Sequence, residues 1–139
     1  MPSTAASGFS NWSHDVGGYL GERGLSRCPP ELLVRWTQFG FSALMQAHGF
    51  AQEAWSYGRR IRDLYRAFVL LHEQLVPYVR AAAATAARTG LPIMRPLCLT
   101  DPADPRGWTI ADAYGYGPAL WVAPVRPGRS RPQPPAPTW

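Results

Sequence analysis

The amino-acid sequence predicts an α/β chain, and three observations carry that expectation. Short apolar runs and amphipathic stretches alternate in the order strand, helix, strand, helix, strand, strand, which favours parallel strands joined by crossover helices. One apolar stripe of helical period, from Ile61 to Val79, is far longer than a strand. The last two apolar runs follow one another with no helix between them, so they can open a separate all-β unit.

Residues 7–21, SGFSNWSHDVGGYLG, begin with small and aromatic residues, pass a polar trio Ser13, His14 and Asp15, and break at Gly17 and Gly18. That is the pattern of a strand running into a loop. Pro29 and Pro30 then precede Leu32, Leu33, Trp36 and Phe39 at helical spacing. Proline is tolerated there because the first turn has no partner for its N–H, and Glu31 favours the positive end of the helix dipole. A helix is expected at about residues 30–39, ended by Gly40. Phe41 to Ala47 is a short apolar run read as a strand, and residues 50–58, with Trp55 and Tyr57, as a loop.

The stripe Ile61, Leu64, Tyr65, Phe68, Leu71, Leu75, Tyr78, Val79 predicts a long helix, kinked in its last third by Pro77. The alanine-rich residues 81–87 extend it, and Gly90 stands where a C-terminal cap belongs. Leu91–Leu99 and Ala119–Val125 read as strands, with a Pro/Asp/Gly-rich connection at Thr100–Gly107. Residues 126–139 have no apolar periodicity and five prolines, the composition of a disordered tail.

The chain has 139 residues, 46% of them hydrophobic and 12% aromatic, which suffices for one modest core. No apolar run approaches the roughly 18 residues that cross a bilayer, and Met1 to Ser7 has no secretory signal pattern, so a cytoplasmic location and no membrane partner are expected. All 14 basic residues are arginine, and the net charge is +5. Three of those arginines lie in the tail, so the body is only weakly basic. The cluster Arg59, Arg60, Arg62, Arg66 reads as a solvated helix face, with nucleic-acid contact as the minor alternative.

Cys28 and Cys98 have no neighbouring ligands that would suggest a disulfide framework or zinc. His14–Asp15 and His72–Glu73 have no third ligand at a suitable spacing, so no metal site and no cofactor are expected. No phosphate loop is present, since Gly115 and Gly117 lack its setting, and no nucleophile motif appears. The polar residues that stand out are Asp15 after the first strand and His48 after the second, because ligands of parallel α/β sheets sit at the carboxyl ends of strands. Trp12, Tyr19, Trp55 and Tyr57 near them offer flat faces for sugar rings or other planar ligands. Each also has a plainer role available: Asp15 as a loop residue bonding its own backbone, His48 as a turn histidine.

The segments GFSNWSHDVGGYLG at 8–21, PELLVRWTQFGFSALMQAHG at 30–49, Ala54-Trp55, LVPYV at 75–79, TGLPIMRPLCL at 89–99 and YGYGPALWVAPV at 114–125 together resemble glycoside hydrolase family 31. That family comprises retaining α-glycosidases, among them α-glucosidases and α-xylosidases, built on a (β/α)8 barrel flanked by β-sandwich domains. The resemblance implies a partial (β/α)8 TIM barrel, its last two βα units, running into the first strands of a β-sandwich. It divides the chain into barrel at 1–100, sandwich start at 101–125 and tail at 126–139.

By resemblance, His48 looks like the histidine ending the eighth barrel strand that hydrogen-bonds sugar hydroxyls, and Asp15 like the aspartate ending the seventh. Tyr19 stands where the family often has an aromatic wall residue. Trp12 is similar to the tryptophan beside that aspartate and either lines the pocket or packs. Gln46 departs from the arginine frequent two residues before the histidine. The implied partner is an α-glucoside or α-xyloside.

Retaining glycosidases need two carboxylates about 5–5.5 Å apart. In the family both aspartates lie on earlier strands, so this chain is expected to carry pocket residues without the nucleophile or the acid/base, and to be inactive and poorly folded alone. Its two ends are expected to be those of a truncated, frameshifted or incompletely assembled gene. The alternative is a non-catalytic sugar-binding or interaction protein derived from that fold.

Overall fold

A computed structural model describes residues 2–18, 28–40, 44–47 and 53–125. The expected tail at 126–139 lies outside them. The chain forms two compact units, one of residues 12–76 and one of residues 1–11 with 77–139.

In the first unit, β1 (Ser13–Val16), α2 (Pro30–Gly40) and β2 (Leu44–Ala47) form a βαβ unit, where α1 is the short N-terminal helix Pro2–Ala6 of the second unit. The strands pair in parallel with Ser13 opposite Leu44, His14 opposite Met45, Asp15 opposite Gln46 and Val16 opposite Ala47. A parallel pair needs a crossover, and α2 supplies it. Proline starts the helix as expected: Leu33 N–H bonds the Pro29 carbonyl at 3.0 Å. Leu33, Thr37 and Gly40, spaced by four and three residues, are its buried line. Val16, Cys28 and Leu33 form the small core, with Trp36, Tyr57, Ile61 and Tyr65 packed around it.

The stretch expected as a loop at 50–58 contains a 3-10 turn, Ala54–Tyr57. The Tyr57 hydroxyl donates to the Cys28 carbonyl at 2.8 Å, which ties that turn to the start of α2. The long stripe differs from expectation in being two helices, α3 (Arg59–Gln74) and α4 (Val76–Thr89), rather than one kinked helix. Leu75 separates them at φ −82°, ψ −6°, its N–H shared between the Leu71 and His72 carbonyls. The cause is Pro77: its ring clashes with the carbonyl four residues back and offers it no donor, so the helix breaks just before the proline, which then sits in the first turn of the next helix.

In the second unit α4 ends as expected. Gly90 is left-handed at φ 76°, and its N–H bonds the Ala86 carbonyl at 2.8 Å. The strand expected over 91–99 is only β3 (Met94–Pro96), followed by one helical turn, α5 (Leu97–Thr100). Pro96 holds φ at −55°, which suits the start of that turn and ends the strand. β4 (Tyr114–Tyr116), which sequence reasoning left unassigned, pairs antiparallel with β3 on one side and with β5 (Leu120–Val122) on the other. Gly115 is needed there because a Cβ would lie 2.6 Å from the Thr100 hydroxyl. This antiparallel sheet holds both of the last apolar runs, but its unit also carries α1, α4 and α5, so it is not the separate all-β unit that those runs suggested. The N-terminal helix α1 lies against β3 with Ala5 buried, an element the sequence did not announce.

The helix phase of α2 is tested by two adjacent leucines. Leu33 is 1% exposed and Leu32 46% exposed. Leu33→Ala should cost about 2–5 kcal/mol of unfolding free energy in urea and Leu32→Ala under about 0.5 kcal/mol. Equal costs would mean that the buried face has been misassigned.

Candidate active-site strand ends

Successive side chains on a strand point to opposite faces, and β1 shows what each face meets. Val16, 1% exposed, enters the core with Cys28 and Leu33. His14, on the same face, lies flat against α2. Its ring stacks on Phe39 with centroids 4.8 Å apart and on Trp36 at 6.2 Å. The Trp36 indole N–H donates to His14 Nδ1 at 2.8 Å. Asp15 belongs to the other face, away from α2, and is half-buried.

Just beyond Asp15 the chain turns. Gly18 N–H bonds the Asp15 carbonyl at 3.0 Å, and Gly17 and Gly18 hold φ of 92° and 101°. A Cβ at Gly18 would meet nothing within 4 Å, so backbone conformation, not space, calls for glycine there. The turn stops β1 one residue after Asp15 and leaves that carboxylate at the strand's carboxyl end, directly across the ladder from Gln46. An ionised carboxylate is an acceptor only, with room for several donors, and suits the hydroxyls of a sugar.

His48 follows Gln46 by two residues and Tyr19 follows Asp15 by four. Both lie outside the described residues, so of the sequence-predicted site residues the structure places Asp15 and Trp12. The Trp12 ring lies 6.3 Å from Phe39 and 6.2 Å from His14. These are packing contacts with the helix-side cluster. Tyr57 is committed to the Cys28 carbonyl, whereas the Trp55 side chain is 65% exposed on its 3-10 turn. Among the described residues no three His, Cys, Asp or Glu side chains gather into a metal-binding group.

Sequence reasoning missed the pairing of His14 with Trp36. The signal was present: a buried indole N–H seeks an acceptor, and His14 is the polar residue inside an otherwise apolar helix-side face. Because Nδ1 accepts from Trp36, the assigned tautomer carries its proton on Nε2, a buried atom with no partner among the described residues. Burial pushes the His14 imidazole below its ordinary 6.5, and the neighbouring Asp15 charge opposes that without overcoming it. The ring is therefore neutral at pH 7, with its Nδ1 lone pair taken by the Trp36 N–H.

That shift makes stability depend on pH. The unfolded chain takes up the His14 proton near pH 6.5, whereas the folded chain resists it to a lower pH. The contribution is complete above about 6.5 and is lost as pH falls through the folded value. His14→Gln keeps an acceptor for Trp36 and does not titrate. Wild type should lose more of its urea midpoint between pH 7 and 5 than this variant, and parallel losses would rule out His14 as the source.

The profile described as the glycosyl hydrolases family 31 TIM-barrel domain matches residues 1–82, and that of the family 31 C-terminal domain matches residues 90–133. The chain is 35% identical over 126 residues to an alpha-xylosidase of Emericella nidulans, covering 88% of this chain and 16% of that protein. An alpha-xylosidase of Saccharolobus solfataricus is 29% identical over 122 residues, 86% of this chain and 17% of its own. Among solved structures, a family 31 alpha-xylosidase from a soil metagenome complexed with xylose superposes with a TM-score of 0.76 at 32% identity, over 90% of this chain and 22% of that one. A family 31 dextranase of Flavobacterium johnsoniae complexed with glucose gives a TM-score of 0.79 at 33% identity, over 91% and 16%. The chain thus spans under a quarter of these relatives. With the barrel profile covering more than half of its residues, a TIM-barrel segment followed by C-terminal-domain strands, it belongs to glycosyl hydrolase family 31.

Proposed function

We propose that these residues supply part of the sugar pocket of a retaining α-glycosidase acting on α-glucosides or α-xylosides. The observation that carries this reading is the parallel register of β1 and β2. It sets Asp15 beside Gln46 at the carboxyl ends of two adjacent strands, and in sequence His48 follows Gln46 by two residues. Asp15 accepts from sugar hydroxyls, His48 hydrogen-bonds a second hydroxyl, and Tyr19 forms a wall of the pocket, with Trp12 supporting the strand from the helix side.

The reaction itself needs one carboxylate to attack the anomeric carbon and a second to protonate the departing oxygen, about 5–5.5 Å apart. The reading gives neither role to Asp15 or to any other acidic residue of this chain. The division into a barrel part and a C-terminal-domain part belongs to the same proposal, with the boundary between residues 82 and 90 rather than at 100, because the C-terminal-domain match starts at 90 and β3 pairs with β4. Support comes from the family membership, from relatives described as alpha-xylosidases, and from solved family members that hold xylose or glucose.

The test grafts this chain into the Emericella nidulans alpha-xylosidase in place of the matched stretch and follows hydrolysis of an aryl α-xyloside. The graft should turn over substrate, whereas the 139-residue chain alone should not. Asp15→Asn and His48→Gln in the graft should each lower kcat/KM by about 10²–10³ with the melting temperature unchanged. A folded graft without activity, or variants that keep activity within a few-fold, would sink the reading.

A further inference from the structure

The β4–β5 hairpin turns through Gly117, Pro118 and Ala119, between the paired residues Tyr116 and Leu120. In an ordinary β-turn the first carbonyl and the fourth amide bond each other directly. Here those two groups, the Tyr116 carbonyl and the Ala119 N–H, are bridged by a side chain from a distant part of the chain. The Tyr78 hydroxyl donates to the Tyr116 carbonyl at 2.6 Å and accepts from the Ala119 N–H at 2.9 Å. A phenol has one proton to give and lone pairs to receive, so both capacities are engaged.

The surroundings are built around that phenol. Gly117 is left-handed at φ 62°, and a Cβ there would fall onto the Tyr78 hydroxyl, 2.7 Å from its Cζ and 2.9 Å from Cε1. The Gly117 N–H bonds the Ile93 carbonyl at 2.7 Å, which fixes the turn to the chain just before β3. The Tyr78 and Tyr116 rings stand 6.1 Å apart at 54°, and Tyr116 is only 2% exposed. The Tyr116 end of the bridge is thus enclosed, whereas Pro118 and Ala119 at the tip of the turn are exposed.

Tyr78 lies in α4, within the stretch matching the barrel domain, and the hairpin lies within the stretch matching the C-terminal domain. We propose that Tyr78 is an interdomain latch: its hydroxyl completes the 116–119 turn, so that the first hairpin of the C-terminal domain closes only against the barrel's helix α4. The proposal rests on the domain assignment and the geometry of the turn, independently of any sugar site.

Amide hydrogen exchange on the full 139-residue chain tests it. Tyr78→Phe removes one oxygen and keeps the ring. Amides of residues 114–122 should exchange at least tenfold faster in this variant, those of α2 within twofold of wild type. Hairpin rates within twofold of wild type would overturn the latch. Should Tyr78→Phe unfold the whole chain, Tyr65→Phe is the control, the loss of one phenol oxygen from the other unit. Unfolding by the first variant and not the second supports the latch, and unfolding by both overturns it.

Discussion

The packing of one face of β1 on α2 is the constraint from which the rest of the candidate site follows. Val16 enters the Leu33 core and His14 is clamped between Trp36 and Phe39. Once those two side chains are buried on the helix side, the period of two in a strand sends Asp15 to the opposite face. A slip of one residue would bury the carboxylate against Phe39 and expel the valine. The cost of that exchange, a desolvated charge set against a lost apolar contact, pins the register more firmly than the few ladder bonds of a four-residue strand. Asp15 is placed by its neighbours.

His14 illustrates why chemistry cannot be assigned from residue type. In sequence, His14 and Asp15 side by side resemble a catalytic or ligating pair. In three dimensions they part, one to each face, and burial makes the imidazole a neutral acceptor for an indole. Alternation alone already excluded a joint role. What it did not reveal was the acceptor's partner, because that contact spans 22 residues and depends on how α2 crosses the strand.

Much of the fold was legible because its signals are local. Proline at the first turn of α2, the glycine after α4 and the paired glycines after Asp15 each act within a few residues, and each stands where expected. The errors arose where a distant partner decides. β4 contains Gly115 and is followed by Gly117, so its sequence carries no strand signal, yet Gly115 is there to let Thr100 approach and Gly117 to admit the Tyr78 phenol. The split of the long helix was a matter of degree: Pro77 was recognised as a disruption, and the break before it is the same effect at larger amplitude. For the candidate site, strand order and Asp15 could be read from the pattern, whereas the roles of His48 and Tyr19 came from family resemblance alone.

The exposed apolar surface of α3 follows from the same logic of covered faces. Its stripe is strongly amphipathic, yet no residue of α3 is buried, and Leu64, Leu70 and Leu71 are each 38–43% exposed. β1 and β2 likewise pair only with each other among the described strands, although parallel strands are normally covered on both faces and flanked on both edges. In a closed barrel of eight strands these are the surfaces that neighbouring βα units cover. The core built from Val16, Cys28 and Leu33 covers only the α2 side of β1. The order of Asp15 therefore depends on whatever strands flank β1 and β2 in a closed barrel.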